Sequence, residues 1–464
     1  MLKVAFLAKV EQLCQTTIIS GRWNMKVKFY GFLSILTMLS ASAMAFEFKS
    51  STPEKSGFDG NQLNEIKAKF DELYFDGRIP NYAVGVYTPD SLVYSAANGQ
   101  IGVGGGEAVN LDTIYWLASM TKPIVSTAII KLVEEGKLSL DDKLSKFFPE
   151  FADMLVAPGG SYDTTLQSAK SEITLRHLIS HTSGLTYWTT VTGVGDVAEQ
   201  YDELGVMQCN AQGRQSLDAD VRFLAQLPLI AHPGESWNYS LSTDVLGAII
   251  EQVTGKRLGV YLNEIIFQPL NMKNTFFEVP KDRLGSTSEI YTTATAAQLA
   301  TIDVESSIDW KIIPSPYDAI RTRVPNCDSG GGGLFASVND YAKYLAMIAN
   351  GGELNGVRIL SEDSMTLHLQ DQTTKMLPEA FRRGFGDDAS SYMKFAAGFG
   401  RKMVVNQEDN SESVDYFFWG GAANTFFWVD VDNGTIGVFA TQLAPSLYNF
   451  SNTIEEIVDQ AQMK

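Results

Sequence analysis

The chain is poor in several kinds of residue, and each shortage excludes something. Three cysteines among 464 residues, at 14, 209 and 327, are too few for a disulfide-built scaffold. Four histidines, at 177, 181, 232 and 368, show no zinc-site spacing, so no metal or organic cofactor is implied. Basic residues are outnumbered 36 to 54, for a formal net charge of −18, and no basic patch of the kind a nucleic-acid binder carries is visible. Internal repeats and low-complexity tracts are absent. What remains is an ordinary globular composition, 45% hydrophobic and 19% charged, long enough for one large domain or two.

The N-terminus reads as an address. From Met25, Lys26 and Lys28 form a short basic segment, an apolar run follows from Phe29 to Leu39, and Ala43-Met44-Ala45 supplies a small-x-small cleavage pattern. The run is shorter than the roughly 20 residues that span a bilayer. This pattern predicts a signal peptide cleaved after Ala45, a periplasmic or secreted product and no stable membrane insertion afterwards. Residues 1–24 precede the plausible start at Met25 and have no structural logic of their own. Removing 1–45 takes away five basic residues (Lys3, Lys9, Arg22, Lys26, Lys28) and Glu11, moving the charge from −18 to −22. Cys209 and Cys327 then remain, and the sequence leaves open whether they pair.

Hydrophobic periodicity predicts an amphipathic helix in "NQLNEIKAKFDELYF", strands in "NYAVGVYT" and "SLVYSAANGQIG", and a helix that starts in "LASMTKPIVSTA", keeps Val125, Ala128, Ile129, Leu132 and Val133 at helical spacing and ends at Gly136. Residues 140–335 read as a mainly helical insertion between an N-terminal part (46–139) and a C-terminal part (336–464). Within it the best helix is "STDVLGAIIEQVTG", closed by Gly255; "SVNDYAKYLAMIANGG" follows it. "GVGGGEA" at 102–108 reads as a loop, and Asn433-Gly434 as a hairpin turn. Strands return at the end and a helix closes the chain. The implied fold is α+β: one antiparallel sheet built from both ends, flanked by helices, with the helical region inserted.

The chemistry starts at "LASMTK". Ser119 and Lys122 are spaced i, i+3 and so share a helix face. A serine is a weak nucleophile until a base takes its proton, and a lysine does so when burial or nearby positive charge lowers its pKa. The surrounding Tyr115, Trp116, Leu117 and Met120 favour that burial. A second Ser-x-x-Lys, Ser391 to Lys394, lies in a strand-like run and reads as incidental. In "HPGESWNYS", Tyr239 just before a helix is placed to project a hydroxyl into a cleft. In "FFWGGAANTFF", Gly420 and Gly421 allow a backbone to approach a ligand closely. His181 and Ser183 do not read as a Ser-His-Asp triad, because no Gly-x-Ser-x-Gly elbow accompanies them. The glycine run 330–333 lacks the Gly-Lys-Ser/Thr of a phosphate loop.

Taken in order, these elements resemble the serine β-lactamase and penicillin-binding protein superfamily, which carries Ser-x-x-Lys and Lys-Thr-Gly signatures. "LRHLISHTSGL", "PGESWNYS" and "SGGGGLFASVNDYAKY" extend the resemblance over nearly all of 46–464. It implies a β-lactamase/transpeptidase-like fold, with Ser119 as the acylated nucleophile, Lys122 as its activator and Tyr239 as general base or proton shuttle. Trp419, Gly420 and Gly421 take the place of Lys-Thr-Gly, and the Ser119 and Ala422 backbone N–H groups the place of the oxyanion hole. Tyr239-Ser240-Leu241 lacks the asparagine of Tyr-x-Asn, and Trp419 removes a cation that binds a substrate carboxylate. Trp-Gly-Gly here is similar to the family VIII carboxylesterases. The expected activity is therefore a secreted serine hydrolase, a carboxylesterase acting on small apolar esters. The expected partner is a small ester or amide substrate, with no nucleic acid. A β-lactamase or D-amino-acid-specific peptidase of the same fold is the first alternative, and a non-catalytic sensor or binding protein the second.

Overall fold

The computed structural model describes residues 46–463 except 209–213, 294–311, 374–390, 407, 446–447 and 449. Residues 1–45, where a cleaved signal peptide is expected, and Cys209 lie outside the described residues. Cys327 is disulfide-bonded.

The frame is a nine-stranded sheet. Its order runs Lys49–Ser50, Ser91–Gly102, Asn81–Tyr87, Thr435–Ala440, Thr425–Asp430, Glu412–Gly421, Gly400–Val405 and Ser391–Phe395, with Gly105–Ala108 paired to Ser91–Gly102. The two ends of the chain meet at its centre, where Val84 lies opposite Phe439. Pairing is antiparallel throughout except for Lys49–Ser50, which runs parallel to Ser91–Leu92, so the expected antiparallel sheet is in fact mixed. The stretch 102–108, expected to be a loop, closes as a hairpin with Gly102 opposite Gly105. The hairpin turn expected at Asn433-Gly434 is present, as the four-residue loop 431–434. Asp430 pairs with Thr435 and its carboxylate accepts the Asp432 and Asn433 N–H groups, while Gly434 supplies the left-handed residue (φ +69).

Helices cover both faces. Gly60–Phe75 buries Leu63, Ile66, Phe70 and Leu73, the stripe its periodicity predicts. Each such side chain contributes about 1.5–3 kcal/mol. Phe70 meets Phe439 of the sheet and Phe450 of the last helix, Phe450–Ala461. The helix Val338–Ala349, capped by the Ser337 hydroxyl accepting the Asp340 N–H, covers the other face through Tyr341 against Phe427. Adjacent residues of a strand point to opposite faces, which is why Phe427 meets this helix while Phe426 packs on Phe418 and Trp428 of the sheet.

Between 140 and 335 the described residues form the α-helices Leu175–Ile179, Asp196–Glu203, Leu217–Leu224, Ser242–Thr254, Leu258–Leu262 and Ala319–Thr322, besides several 3₁₀ turns and one π turn, with strands of only two or three residues. The helix Thr121–Glu134 joins this region to the sheet. All of its residues from Thr121 to Ile130 are buried, and it packs against Ser242–Thr254. Gly255 ends the latter in the left-handed conformation (φ +67), with its N–H on the Glu251 carbonyl. The second Ser-x-x-Lys lies on the strand Ser391–Phe395, where Lys394 pairs with Glu412 at 3.1 Å.

Candidate active site

Ser119 sits in a one-turn 3₁₀ helix, Ala118–Met120, between the strand Ile114–Trp116 and the helix Thr121–Glu134. Ala118 has φ +46, sparsely populated for a residue with a Cβ, and turns the chain sharply there. Side chains three apart eclipse in a 3₁₀ turn, so Ser119 and Lys122 still share a face. Lys122 Nζ donates to Ser119 Oγ at 3.1 Å and to the Gly331 carbonyl at 2.6 Å.

Lys122 is fully buried. An ammonium removed from water needs partners for its protons. Besides the two acceptors it has two aromatic faces, Tyr239 with its ring centroid 4.6 Å away and Tyr187 at 5.3 Å. The Gly331 carbonyl is held in turn by Asp244, whose Oδ1 accepts the Gly331 N–H at 3.0 Å and the Ser329 hydroxyl at 2.6 Å. Burial raises the Asp244 pKa above the ordinary carboxylate value, against the pull of those hydrogen bonds and of Lys122. A Cβ on Gly331 would lie 2.3 Å from Asp244 Oδ2, so the loop approaches the helix this closely only with glycine there.

Tyr239 lies before the Ser242–Thr254 helix as expected, half-buried among rings. His181, Tyr187, Trp237 and Trp419 all pack on it, at centroid distances of 4.8, 5.1, 6.0 and 5.5 Å. Trp419 ends the apolar part of the strand Glu412–Gly421 and directs its indole N–H at the Tyr239 hydroxyl oxygen, 3.4 Å away. Gly420 and Gly421 follow. A Cβ on Gly421 would lie 2.2 Å from the Leu117 carbonyl, which brings this strand directly against the chain leading into Ser119. Thr425, opposite Gly421, donates its hydroxyl to that same carbonyl at 3.2 Å. Ala422 is exposed and starts the turn between the two strands, whose Ala423 and Asn424 are buried. The sites picked from the sequence thus converge: Ser119, Lys122, Tyr239 and Trp419 form one contact chain, and Gly421 lies against Leu117 at the entry to the Ser119 turn.

Sequence reasoning missed Asp244, Gly331 and Tyr187. Asp244 left a signal as an acid inside the otherwise apolar run "STDVLGAII", and Gly331 lay in the glycine run 330–333 without a role assigned to it. Tyr187 is buried beside Tyr239. Burial, then the neighbouring Tyr239 and Asp244, hold its pKa well above the ordinary tyrosine value. His181 is buried and kept neutral, first by burial and then by Lys122. Its ring bonds to Ser240 rather than to a carboxylate, which agrees with the reading against a triad.

A serine on a tight turn, a lysine buried three residues later and a tyrosine over that lysine, set between a terminal-built sheet and a helical region, define a serine hydrolase with the β-lactamase fold. Residues 66–462 match the Beta-lactamase family, and the chain belongs to it. It is 28% identical to Protein Rv1367c of Mycobacterium tuberculosis (strain ATCC 25618 / H37Rv), covering 84% of this chain and 91% of that one. It is 35% identical to Esterase EstB of Burkholderia gladioli over 46% of this chain and 50% of that protein. Among solved structures it resembles EstCE1, described as a hydrolase with promiscuous acyltransferase activity. The TM-score is 0.66 at 23% identity, covering 87% of this chain and 99% of that one.

Proposed function

We propose that this protein is a secreted carboxylesterase that forms an acyl-enzyme on Ser119. In this reading Lys122 holds the Ser119 hydroxyl and favours its deprotonation. Tyr239 exchanges the proton with the nucleophile and then with the leaving alcohol. The N–H groups of Ser119 and Ala422 stabilise the oxyanion. Water then resolves the ester on Ser119 by the same steps.

The observation that carries the substrate class is Trp419. An indole packs against Tyr239 where the sequence resemblance implies the lysine of Lys-Thr-Gly, and Phe395 and Trp237 extend the apolar wall. Such a wall favours neutral acyl and alcohol groups over a substrate carboxylate. The likeness to Esterase EstB supports the same reading. Secretion is supported by the segment from Met25 to Ala45 and by the disulfide at Cys327, since such bonds persist in oxidising compartments.

The test is hydrolysis of p-nitrophenyl acetate, butyrate and octanoate, with nitrocefin alongside, by residues 46–464 and by Ser119→Ala. The expected result is ester turnover lost in the variant and little nitrocefin turnover. Strong nitrocefin turnover with weak ester activity overturns the reading of Trp419. The likeness to EstCE1 also favours acyl transfer to an alcohol as a second fate of the acyl-enzyme. Added methanol then yields the methyl ester alongside the acid.

A further inference from the structure

We propose that His181 is a positioning residue for Tyr239, holding the tyrosine in register through the residues on either side of it. This rests on the role given above to Tyr239.

Tyr239 lies in irregular chain between the turn at Pro233-Gly234 and the helix beginning at Ser242. No ladder of backbone hydrogen bonds fixes it there, yet a base must be held to within a fraction of an ångström of the proton it takes. His181 makes contact with three consecutive residues. Its carbonyl accepts the Asn238 N–H at 2.8 Å, its Nδ1 shares a hydrogen bond of 3.1 Å with Ser240 Oγ, and its ring lies on that of Tyr239. Ser240 is anchored onward: its hydroxyl bonds to Ser242 at 2.8 Å, which bonds to Ser183 at 2.8 Å. Ser183 accepts the Leu185 N–H. A buried line of hydroxyls thus ties residues 240–242 to residues 181–185.

Two features set His181 apart from a ring that only fills space. Its backbone is left-handed (φ +56), a conformation that costs energy for a residue with a Cβ and persists where the surroundings enforce it. Its Nε2 is buried without a partner, a penalty that a phenylalanine of similar shape would avoid. The ring itself is packed by Trp237 and Phe395, so space-filling does not require a nitrogen. What the nitrogens supply is the bond from Nδ1 to Ser240.

The experiment compares His181→Phe, His181→Asn and Ser240→Ala with the wild type in the 46–464 protein. Phenylalanine keeps the ring and loses Nδ1. Asparagine loses the ring, keeps a polar atom near the Nδ1 position and tolerates positive φ. The readouts are kcat and KM for p-nitrophenyl butyrate, the rate at which a fluorophosphonate labels Ser119, and the thermal midpoint. Expected are a fall of about 10- to 100-fold in kcat and labelling rate for His181→Phe, with KM little changed. His181→Asn recovers most of that loss, and Ser240→Ala falls in the same direction. Wild-type rates in His181→Phe with slow His181→Asn overturn the proposal, as do losses that follow the folded fraction alone. Should His181→Phe not fold, Ser240→Ala decides, because it leaves the ring in place; a wild-type rate there overturns the proposal. A wild type that is labelled but does not cleave esters refutes the substrate reading alone, and labelling then decides on His181. A wild type that is not labelled removes the base to be positioned and overturns this inference too.

Discussion

Lys122 Nζ lies 2.6 Å from the Gly331 carbonyl oxygen, closer than the 3.1 Å to Ser119 Oγ. The lysine is therefore aimed by a loop more than two hundred residues away, and the strength of that aim depends on Asp244 holding the loop.

Gly331→Ala tests the aim directly. The added methyl would meet Asp244 Oδ2 at 2.3 Å and must displace either the loop or the carboxylate. We expect kcat to fall about 10- to 100-fold. Steady-state kinetics beside a far-ultraviolet circular dichroism spectrum of native shape checks this. An unchanged kcat shows that the carbonyl does not orient Lys122.

Asp244→Ala leaves the Gly331 N–H and the Ser329 hydroxyl without their acceptor. The buried Gly331 N–H then costs about 1–3 kcal/mol, so denaturant unfolding should show a clear loss of stability along with lost activity. Asp244→Asn keeps one acceptor oxygen and should lose less on both counts.

Trp419 separates two contributions. At 3.4 Å its bond to the Tyr239 hydroxyl is long, so Trp419→Phe should retain most activity. Trp419→Lys replaces the apolar wall with an ammonium facing Tyr239. We expect kcat/KM for neutral esters to drop about tenfold or more, an effect of roughly 1.4 kcal/mol at the transition state. Carboxylate-bearing substrates should gain in comparison. Unchanged neutral-ester kinetics would remove Trp419 from the substrate pocket.

Glu455 gives the fold a pH dependence of its own. It is buried on the last helix and bonded to the Tyr416 hydroxyl. Burial pushes its pKa up to about 8; Asp459, Asp415 and Glu456 add to the rise, and Lys402 opposes it. The folded chain keeps this proton up to about pH 8, whereas the unfolded chain releases it near 4.5. The contribution to stability is therefore complete below pH 4.5 and is lost as pH rises through 8. Thermal midpoints should fall between pH 6 and pH 9, and Glu455→Gln should flatten that part of the profile. An equal fall in the variant assigns the effect to other groups.

The sequence by itself determined the local parts. Ser119 and Lys122 share a face because they are three residues apart, whether the turn is α or 3₁₀. The buried stripe of Gly60–Phe75 follows from apolar spacing, and the strand leading into Trp419-Gly420-Gly421 from its aromatic run and paired glycines. The meeting of both chain ends in one sheet was legible from the order of strands and helices. What only the tertiary structure decided is which distant groups complete the site: Gly331 on Lys122, Asp244 on Gly331, His181 on Ser240 and Leu117 against Gly421. These contacts join segments tens to hundreds of residues apart. Their geometry is set by how closely two backbones approach, and that depends on the packing of the whole core and not on any local pattern.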